Sequence, residues 1–153
     1  MTAYTPQNPD FRDVVRESFS RQLFMGTLGA RLVHVEPGDV RIAMPHAAAF
    51  TQQNGFIHAG AVSSIADSAN GYAALSLCPP GYDVLAVEFK INLLSPASTP
   101  WLLACGSVLR PGRTLTTCYG EVWGIAEASH HVPAGARRIA TLLSTIIARR
   151  ADE

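Results

Sequence analysis

The spacing of hydrophobic and polar positions changes several times along the chain. Between residues 11 and 24 apolar side chains recur at helical spacing, and Arg12, Arg16, Glu17 and Arg21 fill the opposite face. Pro9 suits the first turn of this helix, and Gly26 and Gly29 supply its end. The pattern predicts one N-terminal helix that covers an edge or an opening of the domain. Its apolar positions are Phe11, Val14, Val15, Phe19, Leu23 and Phe24.

From residue 30 onward the period is two, which is typical of strands with one buried face. Glu36-Pro37-Gly38-Asp39 and Arg110-Pro111-Gly112-Arg113 have the composition of tight turns between such strands. Residues 124–135, which include His130 and His131, form a longer polar loop, and His46 lies in a loop without an assigned role. The predicted strands are residues 30–36, 39–44, 84–94, 101–109, 114–123 and 136–148.

The segment between the second and third predicted strands differs from the rest of the chain. Residues 52–57 form an amide-rich loop, His58 follows at a turn, and residues 60–77 contain no Lys, Arg, Glu or Pro. A helix with so little bulk and charge lacks the polar face of a surface helix, so it is expected to pack closely against a sheet that wraps it. A helix, two strands, a buried helix and four strands predict an α+β domain of the hotdog type, with an extra N-terminal helix.

Asp67 is the one acidic residue in the predicted buried helix. At helical period it shares a stripe with Ser63, Ser64, Asn70 and Gly71, and no cation of its own helix lies beside it. A carboxyl group in such surroundings is expected to have a raised pKa, and its burial carries a free-energy cost. Two readings remain open at this point: a functional acid, or a structural acceptor for neighbouring hydroxyl and backbone groups.

Composition and charge narrow the class of protein. The 153 residues contain 12 Lys plus Arg and 12 Asp plus Glu, so no net field attracts nucleic acid or an anionic membrane. The chain lacks a long apolar run and a signal-peptide pattern, and three scattered cysteines form no metal or disulfide motif. We expect a cytoplasmic protein with a single domain over residues 9–149, after a loose lead-in over residues 1–8.

Two segments resemble a known family. Residues 52–69 and 87–97 are similar to the PaaI-like acyl-CoA thioesterases of the hotdog superfamily. That family shows an Asn or Gln, a Gly, His-Gly-Gly, an Asp nine residues beyond the His, and a strand that ends in Ser-Pro-Ala. Two positions depart from the pattern: Ala59 replaces the first Gly after the His, and Ala86 stands where some members place a Ser or Thr beside the acid. The matching positions here are Gln52, Gly55, His58, Gly60 and Asp67.

The resemblance implies hydrolysis of an acyl- or aryl-CoA thioester to free acid and CoA. Asp67 would attack the carbonyl or act as general base on water. The amides of Ala59 and Gly60, at a helix N-terminus, would bind the oxyanion, and Ala59 keeps the required N–H. Gln52 would orient the thioester, and His58 has either a direct role or a structural one at the turn.

The remaining expected site residues would bind substrate. Asn54, Gly55, Ser63 and Ser64 are expected to contact the substrate. CoA carries phosphates, for which the candidate cations are Arg110, Arg113, Arg137 and Arg138, although exposed turn arginines are often only solvated. Aromatic residues are candidates for an acyl pocket or for ordinary core: Phe50, Phe56, Tyr72 and Trp123. No cofactor or metal is expected, since CoA enters as part of the substrate.

Self-association follows from helix geometry together with the resemblance. Asp67 lies more than two turns beyond His58, roughly 10 Å along the helix, which is too far for both to contact one thioester. Family members complete the site across a dimer, and they often pair dimers into tetramers. We therefore expect a homodimer, or a homotetramer, whose long third strand continues the sheet into a second chain.

Two alternatives to the thioesterase are considered. A dehydratase of the same fold would carry a His-containing motif that this sequence lacks. A non-catalytic domain that binds or senses acyl-CoA would keep the fold and the basic residues but would not need Asp67. No nucleic-acid or membrane partner is expected.

Overall fold

One antiparallel sheet and one long helix form most of the molecule. The computed structural model describes residues 4–152. A short 3₁₀ turn, Ala48–Phe50, precedes the long helix. The helices are α1 (Phe11–Arg21), α2 (Leu23–Thr27) and α3 (Ala59–Leu75), and the strands are β1 (Arg31–Glu36), β2 (Asp39–Pro45), β3 (Tyr82–Leu93), β4 (Trp101–Arg110), β5 (Leu115–Ile125) and β6 (Arg137–Arg150).

The strands form a six-stranded sheet in the order β1-β2-β4-β5-β6-β3. Every neighbouring pair is antiparallel, so β1 and β3 are the two edges. The predicted α+β fold of the hotdog type is confirmed, and each predicted strand lies within about two residues of an observed one. β3 pairs with β6 over almost its full length, interrupted by a register shift between Ala86 and Glu88.

The predicted close packing of the small-residue helix is confirmed. α3 contacts β2, β3, β4, β5 and β6, and Val62, Ile65 and Ala69 are almost completely buried. Two glycines allow this approach. A Cβ added at Gly106 of β4 would lie 2.3 Å from the Ala69 carbonyl carbon, and one at Gly120 of β5 would lie 3.0 Å from the Asn70 side-chain oxygen. The backbone of the helix therefore lies directly against the sheet.

The N-terminal helix differs from the prediction. It is divided in two at Gln22, which has an extended backbone with φ −80° and ψ 91°. Phe11 and Val15 are buried, and α1 packs against β1 and α3. The expectation that Leu23 and Phe24 continue the buried face is wrong, since they are 85% and 54% exposed. The break rotates α2 so that these two side chains no longer follow the stripe of α1.

The segment before α1, which was expected to be loose, is partly held by hydrogen bonds. Residues 1–3 lie outside the described part of the chain. The Tyr4 hydroxyl donates to the Val108 and Leu109 carbonyls, both at 3.1 Å, and the Gln7 amide donates to the Leu77 carbonyl at 3.1 Å. From Tyr4 onward the segment is therefore held against the end of β4 and the residues that follow α3.

Replacement of Gly106 tests the close contact between helix and sheet. Gly106→Ala would push a methyl group into the α3 backbone at Ala69 and Asn70, which are not flexible side-chain ends. We expect a loss of about 1–3 kcal/mol or more in the free energy of unfolding, measured by urea denaturation. Gly26→Ala in α2 is the matched control, because nothing lies within 4 Å of the added Cβ. An unchanged stability for Gly106→Ala would contradict the described packing.

Candidate functional site

The turn at the start of α3 is built by His58. Its backbone is extended, with φ −62° and ψ 141°, and its side chain caps the helix. The Gly60 N–H donates to His58 Nδ1 at 2.8 Å, which requires that His58 carry its proton on Nε2. The His58 ring thus has the structural role that the sequence analysis left open, whatever else it does. It also occupies the Gly60 N–H, one of the two expected oxyanion donors.

The other expected donor is free. Ala59 is the first residue of α3, it is exposed, and its N–H donates to no acceptor within residues 4–152. The unpaired N–H groups and the helix dipole both favour negative charge at this end of α3. A carbonyl oxygen that becomes an oxyanion can therefore be bound at Ala59.

The amide-rich loop brings Gln52 to the same cleft. The Gln52 backbone is fixed by bonds to Phe56 and Gly55, and Gly55 takes a positive φ of 81°. The Gln52 side-chain carbonyl accepts from the Asn54 N–H, so its NH₂ group is the part that remains for a ligand. This cleft has a volume of about 460 Å³, and its wall also includes Phe56, His58, Ala59 and the strand end at 93–97.

Ser63 and Ser64 bind their own helix instead of a neighbouring group. The Ser63 hydroxyl donates to the Ala59 carbonyl at 2.8 Å, and that of Ser64 donates to the Gly60 carbonyl at 2.7 Å. Asn54 and Gly55 are exposed in the loop before the helix. The role of these four residues as substrate ligands stays a prediction.

Asp67 lies in a second cavity, of about 410 Å³, between α1, α3 and the first half of β3. Its Oδ1 atom is buried and has no hydrogen-bond partner within residues 4–152. Burial raises the pKa of the Asp67 carboxyl above its ordinary value of 3.8. The cavity wall is formed by Ser18, Arg21, Gln22, Asp67, Ser68, Gly71, Tyr72, Asp83, Val84, Leu85, Ala86 and Ile146.

The serine hydroxyls of α3 near Asp67 have other hydrogen-bond partners. Ser63 and Ser64 donate to backbone carbonyls of α3, and Ser68 donates to Gln22 Oε1 at 3.3 Å. Ala86 lies in the Asp67 cavity, as the resemblance implied for this position, but its methyl group offers no hydrogen bond. The described contacts therefore do not support the interpretation of Asp67 as a structural hydrogen-bond acceptor.

Asn70 does not lie on the Asp67 stripe. It is fully buried against the sheet, and its amide donates to the Ser144 hydroxyl at 2.8 Å. The close approach at Gly120 makes room for the Asn70 side chain on this face. The sequence pattern could not distinguish the two sides because both consist of small residues.

The Asp67 cavity and the His58 cleft have no lining residue in common. Both border β3, one at residues 83–86 and the other at its end, residues 93 and 94. Within one chain the expected catalytic residues therefore form two separate groups. They are Asp67 on one side, and Gln52, His58 and Ala59 on the other.

The four candidate arginines are widely distributed. Arg137 is exposed at the start of β6, two residues before Ile139, which lines the His58 cleft. Arg138 is engaged, with Nε 3.1 Å from Glu121 Oε1 and its guanidinium over the Trp123 ring. Arg110 lies at the far end of β4, and Arg113 lines a small cavity near the C-terminal end of α3. Only Arg137 and Arg138 lie near the cleft of their own chain.

Two of the four candidate aromatic residues line the two cavities. Tyr72 lines the Asp67 cavity, and Phe56 lines the His58 cleft. Trp123 lies in a different cavity, and Phe50 packs against the core, so these two aromatics do not border either group. Ser18, Arg21 and Gln22 were not predicted from the sequence, since no pattern indicates which face of the N-terminal helix meets Asp67.

Within residues 4–152 no group of three or more His, Cys, Asp or Glu side chains is arranged to hold a metal ion. In the same range, no helix is both long enough and apolar enough to cross a membrane. The three cysteines are free thiols, and burial raises the pKa of Cys105 and of Cys118 to about 12.

Comparisons with known proteins show the family and the fold of this chain. Residues 54–125 match the model of the thioesterase superfamily. A crystal structure of a thioesterase family protein from Silicibacter pomeroyi is 42% identical, with a TM-score of 0.85, and the match covers 92% of this chain and 99% of that one. The E. coli PaaI protein from the phenylacetic acid degradation operon shares the fold, with 18% identity, a TM-score of 0.78 and coverage of 92% and 94%.

A curated relative is similar over a shorter region. A protein of Saccharolobus solfataricus that is named as an esterase is 32% identical over 88 residues. The match covers 58% of this chain and spans 62% of the length of that relative.

The raised pKa of Asp67 predicts a pH-dependent gain in stability for Asp67→Asn. Above the folded-state pKa the buried carboxylate destabilises the fold, whereas below 3.8 the carboxyl group is neutral in both the folded and unfolded states. The variant should therefore melt at a higher temperature than the native protein near neutral pH. This difference should shrink on acidification and vanish below pH 3.8.

Thermal denaturation followed by circular dichroism over a pH series measures the effect. Asp13→Asn is the control, because this carboxylate on α1 is 84% exposed and should give no such gain. A native protein that is more stable than Asp67→Asn near neutral pH would show that Asp67 is a satisfied structural group.

Proposed function

The chain belongs to the thioesterase superfamily, and we propose that it hydrolyses acyl- or aryl-CoA thioesters in a site shared by two protomers. The observation that carries this proposal is that the candidate catalytic residues of one chain form two separate groups. A half-buried carboxyl group with an unpaired buried oxygen and a helix N-terminus with a free N–H lie in different cavities, and both cavities border the same edge strand.

The edge strand β3 is suited to pairing with a second copy. Its outer edge has no neighbouring strand within residues 4–152, and residues 85–90 are exposed on both faces. Leu85, Val87 and Phe89 are 52%, 55% and 44% exposed. A long apolar edge of this kind exposes unpaired backbone groups and promotes association unless another strand covers it. A homodimer formed through β3 satisfies these groups in a symmetric way.

The proposed dimer also joins the two groups of residues. Antiparallel pairing about a two-fold axis near Phe89 sets Leu85 opposite the partner's Leu93. Leu85 lines the Asp67 cavity, and Leu93 lines the His58 cleft. The pairing therefore brings Asp67 of one protomer to the cleft of the other, and the symmetry gives two such sites. Further association into a tetramer would leave this arrangement unchanged.

The chemistry of the joined site follows from its parts. The thioester carbonyl oxygen would accept from the Ala59 N–H and from the Gln52 NH₂ group, which stabilise the oxyanion as it forms. Asp67 would act from the partner side by one of two routes. It attacks the carbonyl carbon to give a mixed anhydride and CoA thiolate, or it removes a proton from a water molecule that attacks instead.

Arg137 is the favoured partner for the CoA phosphates. It is exposed and close to the cleft that holds the thioester, whereas Arg138 already pairs with Glu121. Arg110 and Arg113 lie toward the other end of α3 in the same chain, so they would require a ligand from a neighbouring protomer. No cofactor is needed for either route.

The first test measures release of CoA from a panel of alkyl and aryl acyl-CoAs. We expect hydrolysis by the native protein and a fall in kcat of about 10²–10⁴ for Asp67→Asn, because the nucleophile or base is lost. Asp13→Asn again serves as control. Equal release by native protein and Asp67→Asn would remove the role of Asp67. Binding of acyl-CoA without any release would instead support the non-catalytic sensor.

The second test addresses the oxyanion donor. Ala59→Pro removes only the N–H, since Pro is favoured at the first helical position and His58 already has the extended backbone that precedes Pro. We expect a loss of about 10²–10³ in kcat, measured by CoA release. Ala59→Gly keeps the N–H and is the matched control, with activity near that of the native protein.

Mixed dimers of these two variants then distinguish a shared site from a site within one chain. Co-expressed Ala59→Pro and Asp67→Asn chains should regain activity, because each heterodimer contains one site with a native Ala59 and a native Asp67. Separately purified homodimers should remain impaired. Heterodimers that are no more active than their parents would contradict the shared site.

A further inference from the structure

The break in the N-terminal helix places Gln22 in the Asp67 cavity. α1 ends at Arg21 and α2 begins at Leu23, so Gln22 alone has an extended backbone between them. The Gln22 side chain lines the cavity, and its Oε1 accepts from the Ser68 hydroxyl at 3.3 Å. Leu23, the next residue, is 85% exposed and does not line the cavity.

The hydrogen-bonding groups of this cavity include an acceptor without a donor and an amide donor without an acceptor. Asp67 Oδ1 is buried without a donor, and the Gln22 NH₂ group has no acceptor within residues 4–152. Ser68 is directed to Gln22, and Arg21 is paired with Glu17 at 2.9 Å. The bond from Ser68 fixes the Gln22 carbonyl, so the two N–H donors are the part of this side chain available to the cavity.

The other neutral donors of this wall are the Ser18 and Tyr72 hydroxyls, and within residues 4–152 neither of them bonds to a neighbour of Asp67 as Gln22 does. Ala86 and Ile146 are apolar, and Asp83 accepts from its neighbour, the Val84 N–H, at 2.8 Å. A second carboxylate cannot donate when it is ionised. Gln22 is therefore the donor side chain that a hydrogen bond, through Ser68, holds beside Asp67.

We infer that Gln22 is a positioning residue for the water molecule that Asp67 activates. This rests on the proposed thioesterase function and selects its general-base route. A Gln22 N–H donates to the water oxygen, and the water donates to Asp67 Oδ1. As the water oxygen bonds to the thioester carbon, the proton passes to Asp67. The C–S bond then breaks, and the CoA thiolate receives the proton as the acid is released.

Gln22→Met tests this role with little change in side-chain volume. It removes both N–H donors from the cavity. We expect kcat for a preferred acyl-CoA to fall about 10–100-fold, because a misplaced reactant is costly, with KM nearly unchanged. Leu23→Ala is the matched control at the neighbouring position, and its kcat should equal that of the native protein. Thermal melts of each variant check that it folds.

Ala86→Ser in the Gln22→Met background supplies a donor from the opposite wall of the same cavity. We expect this second change to restore a substantial part of the lost kcat, which a purely structural role of Gln22 would not allow. A Gln22→Met variant with native kcat would overturn the inference while leaving Asp67 as base or nucleophile. Hydrolysis that Asp67→Asn leaves intact would instead overturn the proposed function itself. A KM increase at native kcat would assign Gln22 to substrate binding.

Discussion

The contact between the α3 backbone and the sheet determines where every candidate residue lies. It is possible because Gly106 and Gly120 lack the Cβ atoms that would collide with Ala69 and Asn70. A helix this deep in the sheet is surrounded on most sides, so a charged residue on it is desolvated unless it faces an opening. Asp67 is that residue. Burial raises the pKa of its carboxyl group, and its Oδ1 atom has no hydrogen-bond partner within residues 4–152.

The position of α3 deep against the sheet also separates the two groups of candidate residues. The N-terminus of α3 emerges at one end of β3, where the Ala59 N–H is free, and Asp67 lies beside the other end. A rigid helix cannot bring these groups together within one chain. If the exposed edge of β3 pairs with an antiparallel copy, the order of the two strand ends is reversed. Each group of residues in one chain then lies beside the other group in its partner. In this account, one association between two chains places the desolvated carboxylate in a shared site and also covers the exposed strand edge.

Much of this fold could be predicted from the sequence, since its signals are strong and local. The alternation in β3 to β6 gave strand positions within about two residues, and the absence of charge in residues 60–77 other than Asp67 indicated a wrapped helix. The break at Gln22 could not be predicted, because neither Gly nor Pro marks it. The exposure of Leu23 and Phe24 follows from that break and was missed with it.

The site was predicted less completely for a different reason. The motif indicates which side chains are candidates for the chemistry, but the hydrogen bonds that they make depend on rotamers and on neighbours distant in sequence. The capture of the Gly60 N–H by the His58 ring and the contact of Gln22 with Ser68 are both of this kind. The burial of Asn70 against Ser144 is another, since both faces of α3 carry small residues.

A crystal structure with a non-hydrolysable thioether analogue of an acyl-CoA tests the central claim most directly. The account predicts a dimer with paired β3 strands. In it, the analogue's carbonyl oxygen lies within hydrogen-bond distance of Ala59 N–H in one protomer, and its carbonyl carbon faces Asp67 of the other. An analogue that contacts both groups of a single chain, or that binds a monomer, would contradict it.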